Sequence, residues 1–119
     1  MNAIADKIPK RQGSIWMVSL GEKNCIGHEQ RDNRPFLIIS NTKYNQKSKT
    51  LVGFFLSTSI HKTERDFTYP ISIDGVEGHV NITQIRTLAI ERCLKYKGCV
   101  TQDDLKEIMK IFHQEIIKT

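Results

Sequence analysis

No apolar run in the sequence approaches the roughly 18 residues that a membrane-spanning helix requires, so no transmembrane segment is expected. The first dozen residues, MNAIADKIPKRQ, contain no apolar stretch of signal-peptide length. They read as a loose, basic lead-in over residues 1–12, leaving 13–119 as one domain, and a cytoplasmic location is expected. Cysteine is scarce: the 3 residues are Cys25, Cys93 and Cys99, an odd number without a C-x-x-C pair. That argues against a disulfide framework and against a structural zinc site; the spacing of Cys93 and Cys99 is not diagnostic of a disulfide or metal site, and free thiols in a reducing cytosol are expected. There is no internal repeat, low-complexity tract or Pro/Gly-rich linker to divide the chain. Its 119 residues suffice for one hydrophobic core and are too few for two ordinary domains.

Charge and apolar content are not scarce. With 39% hydrophobic and 26% charged residues the composition is that of a globular chain rather than a disordered one. The formal net charge of +5 favours polyanionic partners, because Lys and Arg that neutralise phosphates release condensed counterions.

Five segments read as strands. Gly13–Leu20 is apolar and β-prone, and Pro35–Ser40 is a compact apolar run whose proline fits a strand's first position. Asn41 to Lys49 turns the chain into Leu51–Leu56, a third apolar strand that ends in Ser57-Thr58-Ser59. Phe67–Ile73 is a fourth, with Pro70 marking an edge or bulge. Asp74-Gly75 is a turn signal, and His79–Ile85 alternates with a period of two. Beyond Thr101, an N-cap residue followed by Asp103 and Asp104, Leu105, Ile108, Met109, Phe112 and Ile116 fall on one face of an amphipathic helix. That face is expected to pack on the core. Five short strands and then one helix imply an α+β fold, a small β-barrel with the helix against it.

The stretch Gly21 to Asn33 has no periodicity and is long enough for a functional loop. It leads into Gly27-His28-Glu29-Gln30-Arg31-Asp32-Asn33-Arg34-Pro35. These residue types suit RNA hydrolysis without a metal, in which a ribose 2′-OH attacks the adjacent phosphorus. Such a site must remove one proton, supply another and stabilise the anionic transition state. His28 titrates nearest neutral pH, Glu29 acts as a base if its pKa is raised, and Arg34 offers a fork of donors matched to phosphate oxygens. On chemistry alone, a solvated idle loop and an Arg34 paired with an acid at the barrel rim are equally consistent with these residues.

The ordered motifs Gly27-His28-Glu29-Gln30, then Arg34-Pro35-Phe36-Leu37-Ile38-Ile39-Ser40-Asn41, resemble the signature of the MazF/PemK (Kid) family of toxin endoribonucleases. Gln84-Ile85-Arg86-Thr87-Leu88 is similar to that family's Q-I-R-T-L segment, and the strand ending in Leu56-Ser57-Thr58-Ser59 resembles a third motif. The resemblance runs from about Gly13 into the C-terminal helix. It implies an SH3-like barrel (CcdB/MazF/PemK-like) and a homodimer. The implied activity is sequence-selective cleavage of single-stranded RNA (mRNA), leaving 2′,3′-cyclic phosphate and 5′-OH ends. A cognate antitoxin is the implied protein partner, and no membrane, metal or cofactor is. Carried across, Arg34 stabilises the phosphorane and Thr58, or Ser57 if the alignment slips by one, donates to a non-bridging oxygen. His28 and Glu29 position RNA or assist proton transfer. Gln30, Arg31, Ser57, Ser59 and Arg86 become candidates for substrate contact. Kid-type members place an Arg and an Asp where this chain has Asn81 and Thr83, so either the chemistry leans on Arg34 and Thr58 or the base is His28 or Glu29.

Arg86 has two readings, a phosphate contact or an internal ion pair or dimer contact. His61, His79 and His113 carry no motif and read as structural or surface residues. Two other functions fit the same barrel: a CcdB-like topoisomerase poison, and a basic, non-catalytic RNA-binding barrel. The G-H-E-Q and R-P elements favour the nuclease over the first. The lack of clustered loop aromatics, on which single-strand binders stack bases, disfavours the second.

Overall fold

The computed structural model describes residues 9–20, 33–57, 67–73 and 75–119. Six strands alternate apolar and polar positions: β1 (Ser14–Val18), β2 (Arg34–Ile38), β3 (Thr50–Ser57), β4 (Thr68–Ile73), β5 (Val76–Ala89) and β6 (Cys93–Cys99). They form one antiparallel sheet in the order β4-β5-β3-β2-β1-β6. The outermost strands, β4 and β6, also touch, so the sheet curls into a half-barrel. Among the described residues two α-helices join the sheet, α1 (Thr42–Ser48) and α2 (Gln102–Ile111), the second running into a π-type turn at Phe112–Ile117, and a short 3-10 turn at Ile90–Arg92 links β5 to β6. No helix among the described residues is long and apolar enough to cross a membrane.

The α+β architecture and the C-terminal helix agree with the sequence reading; the element count does not. Asn41 to Lys49, expected to be a turn, contains α1. The Asn41 side chain accepts from the Tyr44 N–H at 2.7 Å, and Lys49 closes the helix in the left-handed region at φ 62°. Because α1 buries only Asn45, it has no apolar stripe to betray it. The fifth strand extends well beyond His79–Ile85. The sixth, β6, was not anticipated: it is an edge strand whose Leu94, Lys95 and Tyr96 are exposed, with lysines of the kind that discourage edge pairing. Gly75 takes φ 80° between β4 and β5, as the turn signal predicted.

Alternation along the strands produces an apolar cluster on each face. On the first face Ile15, Leu37, Phe54, Leu56, Val80 and Ile82 pack with Ile108 of α2, and Phe112 meets Phe54 edge-on at 5.4 Å. Thr101 caps α2 by accepting from the Asp104 N–H at 3.0 Å, with acids in the first turn as expected. The predicted apolar face holds through Phe112 but not Ile116, which is 41% exposed because the π-type turn breaks the 3.6-residue period. The second face carries Trp16, Val18, Phe36, Ile38, Leu51, Phe55 and Leu88. Residues 10–12 are tied to the sheet: Asn45 Nδ2 donates to the Lys10 carbonyl at 2.8 Å and Gln12 Nε2 to that of Ile39 at 2.7 Å.

A hydrogen bond from the Tyr69 hydroxyl to Asp104 at 2.6 Å links α2 to the sheet edge. That bond to the carboxylate, with a smaller contribution from burial, pushes the phenol up to about 12. A phenol whose pKa rises on folding contributes stability that is complete below its unfolded value near 10 and is lost as pH climbs through 12. Tyr69→Phe is therefore expected to cost about 1 kcal/mol at pH 7. The gap between variant and parent should close between pH 10 and 12, and denaturant midpoints measured across that range check it.

Candidate functional site

The candidate site lies on the face that α2 leaves uncovered, and an irregularity in β5 builds it. Phe54 pairs with Ile85 but Leu56 with Val80, so residues 81–84 all stand across from Phe55. In an unbroken strand His79 and Arg86, seven residues apart, point to opposite sides of the sheet. The bulge reverses the pleat: His79 comes opposite Ser57 and Arg86 opposite Gly53, two β3 residues that share a face. Within the bulge Thr83 donates through both its N–H (3.2 Å) and its hydroxyl (2.7 Å) to the Asn81 side-chain oxygen. Asn81 is buried and Thr83 exposed.

Phe55 is the centre of this face. Its ring is buried, meets Phe36 edge-on at 5.2 Å, and carries two guanidinium groups, Arg34 at 4.7 Å and Arg86 at 5.7 Å from its centroid. The ring's negative quadrupole attracts both cations. Arg34 is half-buried and donates to the Leu56 carbonyl at 3.4 Å, which fixes its direction along the end of β3. Arg86 is exposed. Nearby Lys10 places its ammonium 4.5 Å from the Trp16 ring on the same face. Three cations over two buried aromatic rings, with Arg86 exposed, give this side of the sheet a positive charge that favours a polyanion.

The chain matches the model of the PemK-like, MazF-like toxin of type II toxin-antitoxin system family over residues 11–116. It belongs to that family. A curated relative, Endoribonuclease PemK of Escherichia coli, is 33% identical over 87 residues, covering 73% of this chain. The chain spans 58% of the length of that relative. Among solved structures, the MazE-MazF complex of Deinococcus radiodurans (Form-II) is similar at TM-score 0.79 and 19% identity, over 95% of this chain and 100% of that one. An endoribonuclease from Mycobacterial species is similar at TM-score 0.70 and 21% identity, over 89% of each. At these identities the structural likeness speaks for the fold, which is that of the MazF toxins.

Of the site residues expected for this PemK/MazF-like toxin, the structure brings Arg34, Arg86 and Ser57 to one face. His28, Glu29, Gln30, Arg31, Thr58 and Ser59 lie outside the described residues. For Arg86, an exposed side chain over Phe55 speaks against the internal ion pair and fits either a phosphate contact or a dimer contact. Phe55 and Lys10 were missed. The first reads as one more core residue of an apolar strand, and the second lay in a segment taken for a lead-in. Of the thiols, Cys93 and Cys99 are free; burial pushes Cys93 up to about 12, against a smaller lowering by Lys10, so it stays protonated at neutral pH.

Proposed function

We propose that this PemK/MazF-like toxin is an endoribonuclease that cleaves single-stranded RNA sequence-selectively and without a metal ion. The observation that carries the reading is the pair of guanidinium groups, Arg34 and Arg86, held on the Phe55 ring. In the reaction the ribose 2′-oxygen bonds to the adjacent phosphorus and the bond to the 5′-oxygen breaks, leaving a 2′,3′-cyclic phosphate and a 5′-OH. Negative charge gathers on the non-bridging oxygens midway. A guanidinium is too weak an acid to supply a proton at neutral pH, so Arg34 acts by donating hydrogen bonds to that charge. Thr58, next in sequence to Ser57, adds a hydroxyl donor; His28 or Glu29 takes the 2′-OH proton, and the leaving 5′-oxygen takes one from the other of that pair or from water. Gln30, Arg31, Ser57, Ser59 and Arg86 bind the strand.

The same reading gives the toxin two protein partners, a second copy of itself and a cognate antitoxin that competes with RNA for the basic face. It places the protein in the cytoplasm. The relatives support it: one bears the name endoribonuclease, and another was solved as a MazE-MazF complex. The test is incubation of the purified protein with a long unstructured RNA in excess chelator, with the cut ends mapped. Cyclic-phosphate ends are expected. RNA retained intact would leave a binding barrel, and arrested supercoiling without any effect on RNA would indicate a topoisomerase poison. Thr58→Val is expected to slow turnover with the melting curve unchanged; an undiminished rate would transfer the hydroxyl's role to Ser57.

A further inference from the structure

His79, two residues before Asn81, lies at the edge of the basic face. It stands directly opposite Ser57 on β3 and Pro70 on β4, so its side chain shares their side of the sheet. The neighbouring Leu56 carbonyl accepts from Arg34, which brings that guanidinium to the next position along β3. The residue is half-buried, and its Nδ1 is buried with no hydrogen-bond partner. Buried polar atoms are overwhelmingly paired, and an unpaired one in a native fold costs stability and asks for a reason. A proton on Nδ1 would be an unsatisfied buried donor, which favours the ring hydrogen on Nε2. With Nδ1 turned inward, the Nε2 edge is the polar part of the ring that reaches the open face.

We propose that His79 is a substrate-contacting residue, an Nε2–H donor to a phosphate or ribose oxygen of RNA lying across Arg34 and Arg86. The inference rests on the endoribonuclease reading and deepens it. His79 extends the row of donors from the arginines to the β4 edge, where Asn81 and Thr83 are engaged with each other. Around His79, β4 presents Pro70, and Ser57 stands on β3 with the Arg34 cation beyond it.

The test compares His79→Leu, which removes the donor, with His79→Gln, which keeps an N–H at similar reach. With a short cleavable RNA, His79→Leu is expected to raise KM about tenfold, the effect of losing one hydrogen bond to a charged oxygen, with kcat within threefold. His79→Gln should recover most of the loss. The melting temperature of His79→Leu should equal or exceed the parent's, since the unpaired nitrogen is gone. A lower melting temperature with both variants equally impaired, or an unchanged KM, would make His79 a structural residue and overturn the proposal while leaving the nuclease reading standing. If the unaltered protein does not cleave RNA, that reading falls, and binding of a 2′-O-methyl oligoribonucleotide still judges His79. Its ring nitrogen resonances should report an Nε2–H tautomer that shifts as the oligonucleotide binds. Resonances that stay put at saturation, or no binding, would overturn the inference.

Discussion

Arg34→Ala should lower the rate of RNA cleavage by about 100-fold or more, the effect of removing one donor aimed at developing charge, while leaving the protein folded. The two halves of that expectation come from different observations. Arg34 stands on the Phe55 ring at 4.7 Å and reaches the Leu56 carbonyl only at 3.4 Å, so among the described residues its contribution to the fold is one cation–π contact and one long hydrogen bond. A partly exposed contact of that kind is worth about 1 kcal/mol. The fold has two apolar clusters to rely on instead. Catalysis has no such reserve if this guanidinium meets the phosphorane. Arg34→Lys should recover little, because an ammonium keeps the charge but lacks the planar fork and stacks poorly on an aromatic face. Single-turnover cleavage with saturating enzyme, beside a thermal melt of each variant, separates the effects. A rate within threefold of the parent would take Arg34 out of the site.

Arg34 was legible in the sequence because it stands in a short motif before a proline-led strand, and the structure puts it at the first position of β2. The platform beneath it was not legible. Phe54-Phe55 reads as two core residues of one strand, and strand alternation says only that they face opposite ways. Which of them carries the arginines depends on the register of β2 against β3, where Phe36 pairs with Phe55, and on the bulge opposite Phe55. Neither is a local property of the chain. The same bulge explains why His79, without a motif, read as a bystander. A period-two reading of His79–Ile85 continued through Arg86 assigns His79 and Arg86 to opposite faces, and four residues opposite one undo it. Elements with a strong local signature were recovered more fully. Thr101 caps α2 as its sequence context required, and Gly75 turns β4 into β5. Helix α1 and strand β6 were lost because their contacts are polar or at an edge. Asn45 holds α1 by bonding the Ser40 and Lys10 carbonyls, and no pattern of apolar residues encodes that.

Gly53→Ala is expected to have the largest effect on stability of any single-methyl change in the described sheet, a loss of about 3 kcal/mol. Gly53 lies in the middle of β3, between Ile38 of β2 and Arg86 of β5. A Cβ there would overlap the Leu37 carbonyl oxygen and press on the Phe36 ring at 2.8 Å. The backbone oxygen cannot swing aside like the end of a flexible side chain, so β2 must shift relative to β3 or the two strands must part locally. The second face then feels the change through a short chain of contacts. Phe36 leans on Phe55 at 5.2 Å, and Phe55 supports Arg34 and Arg86. A displaced Phe36 therefore disturbs both guanidinium groups without touching either. Gly75→Ala supplies the contrast: nothing lies within 4 Å of a Cβ there, and the only penalty is a φ of 80°. That change should cost about 1 kcal/mol and leave RNA affinity alone. Denaturant unfolding ranks the pair, and titration with an uncleavable RNA at a temperature where both are folded reads the site. If Gly53→Ala unfolds at the parent's midpoint, β2 and β3 are not packed as closely as these contacts require, and the aromatic support beneath the arginines is looser than its function demands.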